Sequence, residues 1–112
     1  MKAKSAKAKG RKLQNLVVKE LRKAYPELED DDIKSQIMGV SGEDIVFSPL
    51  AKRLIGLSFE CKNQERLNLW ESLTQAETNS EERTPVLVFK KNRSQVYAAI
   101  PFKYLIKLLS TN

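Results

Sequence analysis

Gly56-Leu57-Ser58-Phe59-Glu60-Cys61-Lys62 alternates apolar and polar residues, the period-two pattern of a β-strand. Residues two apart on a strand project to the same face. Glu60 and Lys62 therefore stand side by side, and Cys61 points the other way, into a core. Upstream, Asp44-Ile45-Val46-Phe47 reads as a second strand, closed by Ser48-Pro49 and preceded by a turn from Gly39 to Gly42. Residues 34–38 suit a short edge strand, and Leu50 to Leu54 a single helical turn.

Downstream, Leu67, Trp70, Leu73, Thr74 and Glu77 keep a helical period within 65–79. Val86 to Phe89 is a short run of branched and aromatic residues that suits a buried strand. A basic turn, Lys90 to Ser94, leads to a partner strand, Val96 to Ile100, which predicts a hairpin. Pro101 then opens a helix over Phe102 to Leu109, since proline suits a first helical turn. Towards the N-terminus, Leu13, Leu16, Val17, Leu21 and Ala24 predict a helix from Gly10 that Pro26 stops. Residues 1–9 alternate Lys with Ala and Ser and read as a basic flexible arm. Glu27 to Asp32 reads as an acidic, solvent-facing loop. No repeat or linker divides the rest, so 10–112 is expected to be a single domain. The order α, β(β)β, α, ββ, α predicts an α/β fold with a central mixed sheet flanked by helices.

Composition narrows the chemistry. The 112 residues are 41% hydrophobic and 30% charged, which fits a globular domain rather than a disordered chain. No apolar stretch approaches the ~20 residues that span a bilayer. No apolar segment follows the N-terminal charges, so no secretory signal is expected. A lone cysteine, Cys61, cannot close an internal disulfide, and a reducing, cytoplasmic setting is the expectation. There is no histidine, which excludes Ser-His-Asp triads, zincins and Cys₂His₂ zinc fingers together. The net charge of +6 is uneven: residues 1–23 hold nine basic residues and one acid, Glu20. A basic end is the usual footprint of phosphate binding; the plain alternative is a solubilising tail. Lys4, Lys7, Lys9, Arg11 and Lys12 on this end, and Lys90, Lys91 and Arg93 at the hairpin tip, are the candidate nucleic-acid contacts.

The remaining chemistry gathers on the two strands. Asp44 and Glu60 offer hard oxygen ligands of the kind that hold Mg²⁺ together with water and phosphate oxygens. The Cys61 backbone carbonyl can add a third ligand. Lys62 is placed to orient an attacking water. Mn²⁺ is expected to substitute for Mg²⁺.

Gly42-Glu43-Asp44, fifteen residues, then Glu60-Cys61-Lys62 resembles the PD-(D/E)XK nuclease superfamily. Within it, the run from Met38 to Ile45, Ser48-Pro49 and Phe59 to Asn63 is similar to small phage and archaeal Holliday-junction resolvases. Glu43 stands where the motif's name has proline. The resemblance implies a restriction-endonuclease-like core in α-β-β-β-α-β order, a Mg²⁺-dependent DNA endonuclease acting on branched or duplex DNA, and a homodimer making two symmetric cuts. It also implies an acid on the first helix, matched by Glu20, and a glutamine on the helix after the Glu-x-Lys strand, matched by Gln75. Glu20 would then join Asp44 and Glu60 in holding metal, against the alternative of a solvent-facing acid paired with Lys23 or Arg22. Gln75 would join the catalytic set, against that of an ordinary polar helix residue. The rivals in function are a homing, restriction or repair endonuclease on the same fold, a non-catalytic basic nucleic-acid-binding module, and a structural protein with a basic tail. Trp70, Tyr97 and Tyr104 are expected in packing, Trp70 in the core or at a dimer contact. Ser41 and Ser48 are expected in turns.

Overall fold

A computed structural model describes residues 3–111 of the chain. Lys2 and the side chain of Lys4 lie outside the described residues. The described residues form an α/β fold of four α-helices and two small sheets. Helix α1 spans Ala3–Ala24. It begins seven residues before Gly10, so residues 3–9, read as an arm from their lack of an apolar period, are helical in the structure. Ala and Lys are strong helix formers whether or not they pack. The acidic segment carries a 3₁₀ turn at Asp30–Asp32 and leads into β1, Ile33–Ser35. Strand β2, Ile45–Phe47, pairs antiparallel with β1.

Helix α2, Pro49–Ile55, starts at Ser48, whose hydroxyl accepts the Ala51 N–H at 3.1 Å and donates to Asp32 Oδ1 at 2.6 Å. Ser48, expected in a turn, thus caps a helix. The helix ends at Gly56, where φ is +68°, a left-handed conformation that glycine adopts without steric cost. The chain reverses there into β3, Leu57–Asn63. Helix α3, Leu69–Asn79, returns to β4, Thr84–Lys90, which lies parallel to β3. Strand β5, Tyr97–Ala99, closes the expected hairpin antiparallel to β4, and α4, Phe102–Leu109, follows.

The central sheet is divided. Strands β1 and β2 form one pair, and β3-β4-β5 form a separate mixed sheet. Among the described residues, a single backbone hydrogen bond joins the stretch from Asp44 through β2 to β3: the Asp44 N–H donates to the Phe59 carbonyl at 3.2 Å. The next donor along β3, the Cys61 N–H, is taken by the Asp44 carboxylate. A side chain therefore stands where a ladder rung would continue.

Helix α1 covers one face. Leu13, Val17 and Val18 pack with Ile33, Ile45, Phe47, Phe59, Cys61, Val86 and Val88 in one buried cluster. Phe59 and Cys61 point to this side, so Ser58, Glu60 and Lys62 point to the other, beneath α3. There the small residues Ser72 and Ala76 are buried with Leu87. β3 is thus buried on both faces although it stands at one end of its sheet.

Candidate active site

The first strand reading carries over directly. Glu60 and Lys62 share a face of β3, with Lys62 Nζ 3.6 Å from Glu60 Oε2. Glu60 is 7% exposed. Its Oε1 is buried and has no hydrogen-bond partner. Asp44 immediately precedes β2, and its Oδ2 accepts the Cys61 N–H at 2.7 Å. The backbone around Asp44 is fixed on both sides: its carbonyl accepts from Gln36 N–H at 2.8 Å and its N–H donates to Phe59.

Electrostatics follow from this burial. Burial raises the Asp44 carboxyl above its ordinary value, although the Cys61 N–H and Lys62 act against it. Burial likewise raises Glu60, the negative charge of Asp44 adds to the rise, and Lys62 and Asn79 oppose it. Burial, then Asp44 and Glu60, push the Cys61 thiol far up, and the side chain lies in the core cluster, on the face of β3 away from Glu60. The carbonyl of Cys61 is another matter. Within a strand the N–H and C=O of one residue point to the same side, and the Cys61 N–H points at Asp44.

The arrangement is therefore two mutually unfavourable carboxylates, one with an unsatisfied buried oxygen, beside one ammonium. A hard divalent cation satisfies such a donor set, and the residues present fit Mg²⁺. Among the described residues no three acidic or thiol groups gather in a metal-holding cluster, and the carboxylates brought together here are two, Asp44 and Glu60.

Glu20 is not the third. It is exposed and pairs with Lys23 at 3.5 Å. The face of α1 that meets the sheets is defined by Leu13, Gln14, Val17 and Val18, and Glu20 lies just outside its margin, roughly a quarter turn from its centre. The buried polar residue of α1 is Gln14, whose Oε1 accepts from Ser35 Oγ at 2.9 Å. Gln75 is exposed on α3. Its neighbour one turn on, Asn79, is the α3 residue beside Glu60, and its Nδ2 donates to the Gly42 carbonyl at 3.3 Å. Asn79 shares the sheet-facing stripe of Ser72 and Ala76, and that spacing was the available signal.

Glu43 also has a structural task. It ion-pairs with Arg83, and both side chains are largely buried. Arg83 further donates to the Leu57 carbonyl at 3.3 Å. This clamp fixes the turn at Gly42, where φ is +103°, and with it the position of Asp44.

The basic residues lie around this core. Lys7, Arg11 and Lys12 are exposed along the first half of α1, and Lys9 is half-buried. Asn63, at the end of β3, donates to the Lys9 carbonyl at 3.2 Å, which ties the basic helix to the strand of Glu60 and Lys62. At the hairpin tip Lys91 and Arg93 are exposed and Lys90 half-buried. Trp70 is 76% exposed, so the core placement expected from its period does not hold. Tyr97 is exposed beside Phe89, their rings 6.0 Å apart. No helix is long and apolar enough to cross a membrane among the described residues. No family model, curated protein or solved structure matches the chain.

Proposed function

We propose that this chain is a Mg²⁺-dependent DNA endonuclease with a PD-(D/E)XK-like centre, acting on branched or duplex DNA. The observation that carries the reading is the buried Glu60, whose Oε2 pairs with Lys62 and whose Oε1 has no partner, on the strand whose Cys61 N–H holds the Asp44 carboxylate. Asp44, Glu60 and the Cys61 carbonyl would hold the cation, which when bound lowers the pKa of a water and offsets phosphate charge. Glu60 holds Lys62 in place through their ion pair. Lys62 in turn presents an ammonium to the attacking water and to the charge that develops on the phosphate oxygens. The Glu43–Arg83 clamp and the Cys61 N–H keep Asp44 oriented. The basic face of α1 and the hairpin tip grip backbone phosphates, which positions DNA without reading bases.

A non-catalytic nucleic-acid-binding module is the second reading, favoured by the meeting of two carboxylates rather than three. One panel separates the two: labelled four-way junction, flap, linear duplex and single-stranded DNA, each with Mg²⁺, Mn²⁺ or EDTA. The endonuclease reading expects metal-dependent cleavage with branched DNA cut fastest. Binding of all four without cleavage in either metal supports the module.

A further inference from the structure

Strand register sets an aromatic row beside the carboxylates. Lys62 pairs with Phe89 across β3 and β4, and Phe89 pairs with Tyr97 across β4 and β5. Residues paired side by side across strands share a face of the sheet. Phe89 and Tyr97 therefore stand on the face that carries Glu60 and Lys62. Neighbouring strands lie about 4.8 Å apart, which puts the Tyr97 backbone roughly 10 Å from that of Lys62. In the preceding row Leu87 pairs with Glu60 and is fully buried. The Lys62 row is less covered: Lys62 and Phe89 are half-buried, and Tyr97 is 54% exposed.

The rings of Phe89 and Tyr97, 6.0 Å apart and tilted by 30°, line a pocket of about 210 Å³ together with Leu67. Lys90 and Lys91 line it too, and Gln64 brings an amide able to donate and to accept. One acid is present, Glu65, and its Oε2 already accepts the Asn92 N–H at 2.6 Å. Aromatic faces with cations beside them are the parts of a stacking platform, on which bases lie against rings while cations hold the flanking phosphates. The volume falls below the ~300 Å³ at which sites for drug-sized ligands begin, which suits one planar base and not a longer segment. Bases within a duplex are stacked on one another and out of reach, so a base that enters comes from an unpaired nucleotide.

We propose that this pocket takes one unpaired nucleobase of the bound DNA, stacked on Tyr97 and Phe89, with Lys90 and Lys91 on the adjacent phosphates. The site then favours DNA that has an unpaired nucleotide close to Lys62. The inference rests on the DNA-binding part of the reading above and not on cleavage: a base preference without cleavage in Mg²⁺ sinks the endonuclease alone.

The test is fluorescence anisotropy in EDTA with two labelled single strands of equal length, oligo(dT) and the same backbone with abasic sites throughout. The abasic strand keeps the phosphates and lacks the bases, so the ratio of the two affinities isolates base stacking. Wild type, Tyr97→Ala and Tyr97→Phe are compared, with circular dichroism as the folding control; Tyr97 is exposed on an edge strand, so its truncation spares the core. The wild type should bind oligo(dT) at least tenfold more tightly than the abasic strand, ~1.4 kcal/mol, within the range that one stacked base contributes. Tyr97→Ala should lose most of this preference while its affinity for the abasic strand stays within twofold, and Tyr97→Phe, which keeps the ring, should retain the preference. Equal binding of the two strands by the wild type, or binding of neither, overturns the proposal. So does a folded Tyr97→Ala that keeps the preference, or one that loses affinity for both strands by the same factor.

Discussion

Glu60 is held where an isolated carboxylate is unfavourable, buried beside Asp44 with one oxygen unpartnered. That arrangement has a signature in stability. Asp44 and Glu60 both have folded-state pKa values raised by burial. Between the unfolded and folded values the folded chain binds more protons, so this contribution is full below the unfolded pKa and is lost as pH rises through the folded one. At pH 7 without metal, both charges weigh against folding. Asp44→Asn keeps an oxygen for the Cys61 N–H and cannot ionise. In EDTA it should raise Tm at pH 7 by a few degrees over the wild type, with the gap closing towards pH 3; thermal melts at the two pH values check it, and an unchanged gap refutes the cause. Lys62 invites a different separation. Lys62→Ala should lower the single-turnover rate by two or more orders of magnitude, at least ~2.7 kcal/mol. DNA affinity measured in Ca²⁺ should fall by less than about tenfold, ~1.4 kcal/mol. Equal losses in both would make Lys62 a phosphate anchor. Glu60 and Lys62 were legible as neighbours because a strand of period two fixes which side chains stand side by side, whereas Asp44 was placed beside them by an expected strand pairing that the divided sheet replaces with its side-chain bond to the Cys61 N–H. Glu20 was misplaced because a helix stripe read from Leu13 and Ala24 spans too wide an arc to decide a residue at its margin. Asn79 was missed because its partner, the Gly42 carbonyl, lies 37 residues away.

At the scale of elements, the basic helix and the divided sheet matter most. Helix α1 carries its cations on a continuous rod from Ala3, and Asn63 pins that rod to the end of β3. Lys7→Gln, Lys9→Gln, Arg11→Gln and Lys12→Gln, combined, keep good helix formers while removing charge. If these residues grip phosphates, the slope of log K against log salt should flatten by roughly 0.9 for each phosphate no longer neutralised, read from DNA binding titrations in Ca²⁺. An unchanged slope would make this segment a solubilising extension. The hairpin β4-β5, the capped α2 and the final helix α4 were each visible in local signals: branched runs around a basic turn, Ser48-Pro49, and Pro101. The break between β2 and β3 was not. Nothing in the period of either strand says that the Asp44 side chain takes the hydrogen bond a backbone carbonyl would otherwise receive.

At the scale of the molecule, three surfaces with different chemistry are set on one small α/β fold. A buried carboxylate pair with its lysine lies between the two sheets and α3, a basic helix runs past it, and an apolar helix stands at the far end of the chain. The charge asymmetry was plain from the sequence, whereas the exposure of α4 was not, because an apolar stripe of helical period predicts burial. The central claim is that Asp44, Glu60 and Lys62 hydrolyse DNA with Mg²⁺. Its most direct measurement is single-turnover cleavage of a labelled four-way junction and of linear duplex by three samples: wild type in Mg²⁺, wild type in EDTA, and Glu60→Gln in Mg²⁺. The account predicts cleavage in the first sample and at least a hundredfold loss, about 2.7 kcal/mol, in the other two. Cleavage of either DNA at the parent rate in EDTA or by Glu60→Gln, or no cleavage by the wild type in Mg²⁺, would contradict it.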